Sequence, residues 1–314
     1  MGECEGAITM ISIENIEKSY GATQALKSIS LEVAKGELFG LIGPDGAGKS
    51  SLMRILVTLL RPDSGKASLD GLDVVADFRK IREMVGYMPG RFSLYADLTV
   101  AENLEFFATV FGTTVEANYH LIKDIYRQIE PFKNRPAGKL SGGMKQKLAL
   151  SCALIHAPKV LVLDEPTTGV DAVSRKEFWE MLKKLKALGI TILVSTPYMD
   201  EAMLCDRVAL IQSGQILSVD TPQSITRQFT KRLVGVETAS SSERYACIGL
   251  LRELQGTESV FAFGESIHVT CNEHLTSTSI SQYLEDKGHS GLTIKEITPG
   301  IEDLFMELMQ HHGN

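Results

Sequence analysis

Ile11, Ile13 and Ile16 begin a strand-like alternation of apolar and polar positions, and the ten residues before them show no period. Ordered structure is therefore expected from Ile11, with residues 1–10 as a flexible tail. From there to about residue 224 the pattern changes. Short continuous apolar runs, LFGLIG at 38–43, KVLVLD at 159–164 and ITILVST at 190–196, alternate with stretches of helical period. Strands apolar on both faces must be covered on both, which predicts an α/β fold with a parallel sheet between layers of helix. Residues of about 92–156 carry helical periods without strong strand signals, so a helical insert is expected there. Beyond residue 225 the order reads strand (RLVGVETA), helix (SERYACIGLLRELQ), hairpin (SVFAFGESIHVTC), helix (STSISQYLEDKG), strand (GLTIKEI). That is β-α-β-β-α-β, a small ferredoxin-like α+β domain over 225–314, closed by the amphipathic stretch IEDLFMELM.

Composition narrows the function. The 314 residues hold 32 Lys and Arg against 39 Asp and Glu, a net charge of −7 with pI near 5.6. That balance argues against a general nucleic-acid coat, so no nucleic-acid partner is expected. No apolar run approaches the length of a spanning helix, so any tie to a membrane must go through a partner. The five cysteines are odd in number, dispersed and never in a C-x-x-C pair, which suggests neither a disulfide framework nor a zinc site. The first basic residue is Lys18, so no basic n-region of a secretory signal is read and the chain is expected to stay in the cytosol.

Three segments carry chemistry. Gly43-Pro44-Asp45-Gly46-Ala47-Gly48-Lys49-Ser50 follows a strand and opens the amphipathic helix SSLMRILVTLL, which starts with Ser50 and Ser51, the context that a G-x-x-x-x-G-K-[ST] phosphate loop requires. Its glycines let backbone N–H groups converge on a polyanion; Lys49 is placed to meet β- and γ-phosphates and Ser50 to ligate Mg²⁺. Val160–Leu163 leads into Asp164 and Glu165, a strand ending in two carboxylates, one suited to hold Mg²⁺ and the other to orient a water. Leu140-Ser141-Gly142-Gly143-Met144 precedes a helix, with Ser141 as N-cap, and forms a second anion-binding terminus. One nucleotide needs a single such cradle, so the second implies two chains sharing their nucleotides.

Phosphate loop, LSGGM, LVLDEP and Gly169-Val170-Asp171, in that order, resemble the nucleotide-binding subunit of an ATP-binding cassette (ABC) transporter over roughly residues 11–224. The resemblance implies a P-loop NTPase with a RecA-like parallel sheet core and a helical subdomain. It implies two cassettes closing head to tail, with ATP and Mg²⁺ between one chain's phosphate loop and the other's Ser141, Gly142 and Gly143. It further implies Tyr20 stacked on adenine, Glu165 polarising the attacking water, Asp171 in the loop linking the two sites, and residues 86–100 receiving a coupling helix from integral membrane permease subunits. The C-terminal segment, with TPGIEDLFMELM, is similar to the added domain of drug-efflux exporter cassettes. Peripheral attachment at the cytoplasmic face of the cell (inner) membrane follows.

Two positions depart from the family. Tyr87-Met88-Pro89 is followed by Gly90 where a glutamine is usual, and no glutamine occurs between Gln24 and Gln128. Ser195-Thr196 is followed by Pro197 where a histidine is usual, and none occurs between His156 and His268. Pro197 offers no side-chain hydrogen bond and no proton-bearing ring. LSGGM and Asp171 are intact. A heterodimer with a complete cassette is therefore expected, this chain's own site turning over slowly. A competent homodimer, a soluble ABC ATPase acting on ribosome or DNA, and a subunit that binds without hydrolysing stay open.

Overall fold

Gly21 and Ala22 join two twelve-residue strands, β1 (Thr9–Tyr20) and β2 (Thr23–Ala34), and a link that short can only turn the chain back antiparallel. The structure, a computed structural model, describes residues 8–312. Most of the expected tail thus lies outside the described residues, but Thr9 and Met10 belong to β1, and Met10 is buried. Next come β3 (Leu38–Ile42), α1 (Lys49–Leu56), β4 (Ser64–Leu69), β5 (Leu72–Asp73), α2 (Phe78–Met84) and β6 (Val85–Met88). The expected helical insert contains α3 (Val100–Val110), α4 (Val115–Tyr126) and α5 (Gly142–Leu154). Thr99 caps α3, receiving the Glu102 N–H while the Glu102 carboxylate takes the Thr99 N–H. The core resumes with β7 (Val160–Asp164), α6 (Ala172–Ala187), β8 (Thr191–Thr196), β9 (Arg207–Gln212) and β10 (Gln215–Asp220).

These strands form two sheets. The larger runs β10-β9-β3-β8-β7-β6, parallel throughout except for the edge strand β10. Val160–Leu163 of β7 are fully buried, as a strand covered on both faces must be, and each such apolar side chain stabilises the fold by roughly 1.5–3 kcal/mol. The second sheet, β2-β1-β4-β5, is antiparallel. It stands beside the parallel core that the apolar runs predict: β1 and β2 alternate because only one face is buried, and their inward residues Ile11, Ile13, Ile16, Leu26 and Ile29 share one core with Phe39, Leu41 and Val162.

A boundary between Pro222 and Gln223 separates a second compact unit. The short helix α7 (Pro222–Thr226) leads to β11 (Arg232–Glu237), α8 (Ser241–Glu253), β12 (Thr257–Phe263), β13 (Ser266–Cys271), α9 (Ser277–Asp286), β14 (Thr293–Glu296) and α10 (Ile301–His312). The sheet order β12-β13-β11-β14, antiparallel at each pairing, is the ferredoxin-like arrangement that the pattern predicts. Val234, Val236, Ile267 and Val269 pack against Cys247, Leu251, Ile280 and Leu284 of the two covering helices. On α10, Asp303 accepts from His268 Nδ1 at 2.7 Å.

Candidate functional site

Strand order decides the site. The phosphate loop leaves β3 and the carboxylate pair leaves β7, and both flank β8, so the carboxyl ends of three neighbouring parallel strands meet. The loop's tip, Asp45 and Gly46, is exposed while Ala47 is buried beneath it. Gly48, at φ +105°, is the N-cap of α1, and a Cβ there would lie 2.5 Å from the Ala25 carbonyl oxygen, so neither the angle nor the space admits a side chain. No side chain caps α1, which leaves its first N–H groups directed out of the helix toward the loop's hollow. Lys49 is only 3% exposed, and its Nζ donates to the carbonyl oxygens of Gly43 (2.7 Å) and Pro44 (3.0 Å). The same Nζ lies 3.1 Å from Glu165 Oε1.

Asp164 is buried at the end of β7, and its Oδ1 accepts from Ser50 Oγ (3.0 Å) and Ser195 Oγ (2.8 Å). Glu165 has φ +50°, a left-handed conformation uncommon outside glycine, and two bonds from its N–H to Ser195, to Oγ at 3.0 Å and to the carbonyl at 3.1 Å, hold it there. Ser195, absent from the expected site set, is thus the residue that fixes both acids. The signal for it was the Ser-Thr ending of ITILVST.

Tyr20 stands at the end of β1, 48% exposed, with its hydroxyl 3.2 Å from Ser51 Oγ. An aromatic ring is therefore placed beside the helix that follows the phosphate loop. Gly90 lies over the Asp164 backbone, where a Cβ would come 3.1 Å from the Asp164 carbonyl oxygen. Ser195, Thr196 and Pro197 stand at the end of β8, between the phosphate loop and the carboxylate pair, and the Gly43 N–H donates to the Thr196 carbonyl at 3.3 Å.

The LSGGM segment lies elsewhere. Ser141 caps α5, its Oγ accepting from the Met144 N–H at 3.4 Å, and the nearest neighbours of Gly142 and Gly143 are the Gly169 carbonyl and the Ser174 side chain. A Cβ on Gly143 would approach Ser174 Oγ to 2.7 Å, so the two turns are in close contact. Asp171 caps α6 by accepting from the N–H groups of Val173 (3.1 Å) and Ser174 (3.0 Å), and these bonds, chiefly that from Ser174, hold its carboxyl below the usual range. Val173 beside it is 70% exposed. The sequence-derived set therefore falls into two groups, one around Lys49 and Asp164 and one around Ser141 and Asp171.

A third feature lies between α3, α5 and the segment after β6. An apolar groove of about 450 Å³ is lined there by Tyr87, Met88 and Leu94 on one side and by Phe107, Phe111 and His156 on the other. Phe111 stacks on the His156 ring at 3.8 Å, and burial pushes the imidazole below its ordinary value. Burial likewise raises the Tyr87 phenol.

Residues 26–168 match the ABC transporter family. The chain is 34% identical over 308 residues to the Nod factor export ATP-binding protein I of Burkholderia lata, covering 96% of this chain and 97% of that protein. This chain belongs to the ABC transporter ATP-binding cassettes. The cassette is also 37% identical to the "Probable multidrug ABC transporter ATP-binding protein YbhF" of Escherichia coli (strain K12), over 97% of this chain and 53% of that protein, so it spans about half of that relative's length. A dimeric ATP-binding cassette solved in a post-hydrolysis state with ADP and Pi superposes with a TM-score of 0.62 at 26% identity, covering 68% of this cassette and 98% of that chain. The resemblance read from the motifs is thereby shown, and with it the P-loop NTPase fold.

The residues fit a nucleotide with its metal. The loop offers N–H groups and one buried lysine; Ser50 and Asp164 place a hydroxyl and a carboxylate oxygen side by side. Among the described residues no group of three or more metal-binding side chains occurs. Two protein oxygens suit a hard ion that completes its shell with phosphates and water.

Proposed function

We propose that this cassette binds and hydrolyses ATP to drive export by membrane permease subunits, as a peripheral subunit at the cytoplasmic face of the membrane. The observation that carries the reading is the convergence of Lys49, Ser50, Asp164 and Glu165 at neighbouring strand ends. Phosphates rest on the N–H groups of the loop, and Lys49 turns from Glu165 to them. Tyr20 receives the adenine. Mg²⁺, held by Ser50 and Asp164, supplies positive charge against the phosphate oxygens when bound. Glu165, released from Lys49, orients a water for attack.

A second cassette supplies Ser141, Gly142 and Gly143 of its own kind to this nucleotide, while this chain's Ser141–Gly143 and Asp171 serve the partner's. Gly90 and Pro197 remove side chains that would face the water and γ-phosphate, which favours a pair in which this site is the slower one. A competent homodimer is the second reading, favoured by the intact Glu165. The apolar groove beside Tyr87 and Leu94 is the seat for a permease segment, and the export named for the Burkholderia lata relative agrees with that role. No helix among the described residues is long and apolar enough to cross a membrane, which suits attachment through a partner.

Co-expression with a candidate permease tests the reading. The cassette is expected to pellet with membranes only when the permease is present, and Mg-ATP is expected to change that association. A cassette that sediments with ribosomes or DNA and ignores the permease would replace export with a role in the cytosol.

A further inference from the structure

Glu201 follows Pro197 by four residues, belongs to none of the motifs above, and is 1% exposed. Its Oε2 accepts two hydroxyl hydrogen bonds, from Thr196 Oγ1 at 2.6 Å and from Thr167 Oγ1 at 3.1 Å. Its Oε1 faces Arg175 Nε at 3.6 Å, an ion pair too long for a hydrogen bond, and the Arg175 guanidinium lies 4.2 Å over the Tyr198 ring. A carboxylate so buried is costly unless paired, so the three partners are what make its position tolerable.

Those partners bracket Glu165. On one side Thr196 follows Ser195, which takes both bonds from the Glu165 N–H and donates to Asp164. On the other, Thr167 lies in the turn leaving Glu165, where the Thr168 N–H donates to the Glu165 carbonyl at 3.2 Å. Glu165 itself is held at φ +50°, a conformation that persists only where its surroundings over-determine it. One buried carboxylate fastens both flanks of that strained residue.

We propose that Glu201 is a positioning residue for Glu165, fixing through Thr196 and Thr167 the strained backbone that aims the Glu165 carboxylate. The proposal rests on the reading of Glu165 as the residue that orients water. It assigns to a side chain outside the nucleotide's reach an effect on the chemical step and none on nucleotide affinity.

The test is single-turnover hydrolysis by the full chain in excess over Mg-ATP, which reads even a slow site, with ATP affinity measured in parallel. Glu201→Ala is expected to lower the hydrolysis rate about 100-fold, the scale of a misplacement transmitted to a reacting group, with ATP affinity unchanged. Glu201→Gln, whose amide oxygen still accepts both hydroxyls, recovers most of that rate. In a Glu165→Gln background Glu201→Ala adds no further loss, because the two act through one group. Should Glu201→Ala fail to fold, Thr167→Val and Thr196→Val each remove one hydroxyl and are expected to slow hydrolysis up to about tenfold at unchanged affinity. A rate that depends on Glu165 but not on Glu201 or the two threonines overturns this proposal alone. A wild-type rate no higher than that of Glu165→Gln overturns the reading of Glu165 and this proposal with it.

Discussion

The phosphate-loop region and the LSGGM region are built on opposite terms. Around Lys49 the charged side chains have partners inside the chain: two carbonyls and Glu165 for the lysine, Ser50 and Ser195 for Asp164, with Ser195 again holding the Glu165 N–H. Around Ser141 a helix opens with two glycines against a neighbouring turn, and beside Asp171 stands Val173, an apolar side chain left 70% exposed. The first region holds its arrangement alone. The second makes chemical sense as half of something. Both departures from the family, Gly90 and Pro197, fall in the first region and none in the second, which is the asymmetry that the pairing proposal uses.

The largest effect that sharpens this comparison belongs to Glu165→Gln. It is expected to lower hydrolysis at this chain's own site about 1000-fold, the scale of losing a positioned base, while ATP affinity holds. Equal turnover in the variant would mean that the first region does no chemistry. Ser141→Arg attacks the second region: in a membrane complex purified through this chain, ATPase activity should fall about 100-fold while ATP binding by the isolated chain stays the same. Full activity of that complex would break the account of the second region.

Restoration gives smaller effects. Pro197→His returns a side chain able to meet a γ-phosphate and should raise own-site turnover about tenfold. Gly90→Gln should do less, because its Cβ would press to 3.1 Å on the Asp164 carbonyl and the segment must shift to admit it. A Gly90→Gln gain larger than that of Pro197→His reverses the assignment of which loss matters.

Smallest is a pH effect in the groove. Burial holds the His156 imidazole below its ordinary value of 6.5, so the unfolded chain binds the proton more readily than the folded one. The stability contributed by keeping His156 neutral is fully present above pH 6.5 and declines as pH falls through 6.5 toward the lower folded value. Thermal melts at pH 7.5 and 5.5 should therefore show a larger drop for wild type than for His156→Phe, and a permease segment seated in the groove should widen the difference.

Much of this was legible in the chain itself. The phosphate loop and the carboxylate pair are read from contiguous residues, because backbone N–H convergence and strand-end acids are local chemistry. The ferredoxin-like order was legible for the same reason: the period alternates cleanly between 2 and 3.6 from Arg232 to Glu296. The antiparallel sheet was not, since a hairpin such as β1–β2 shows only that each strand alternates, and which sheet it joins depends on the distant β4. The roles of Ser195 and Glu201 were not legible for a related reason. Single polar residues have no period, and their roles arise from β8 lying between β3 and β7, a neighbourhood that the order of segments along the chain does not state.

The most direct measurement is Mg-ATP hydrolysis by the purified chain across a concentration series, with Glu165→Gln as the blank and nucleotide binding followed in parallel. Tight ATP binding with slow turnover that stays proportional to protein is what an asymmetric cassette gives. Turnover that rises cooperatively with concentration and vanishes in Glu165→Gln would mean a competent homodimer and would contradict the account.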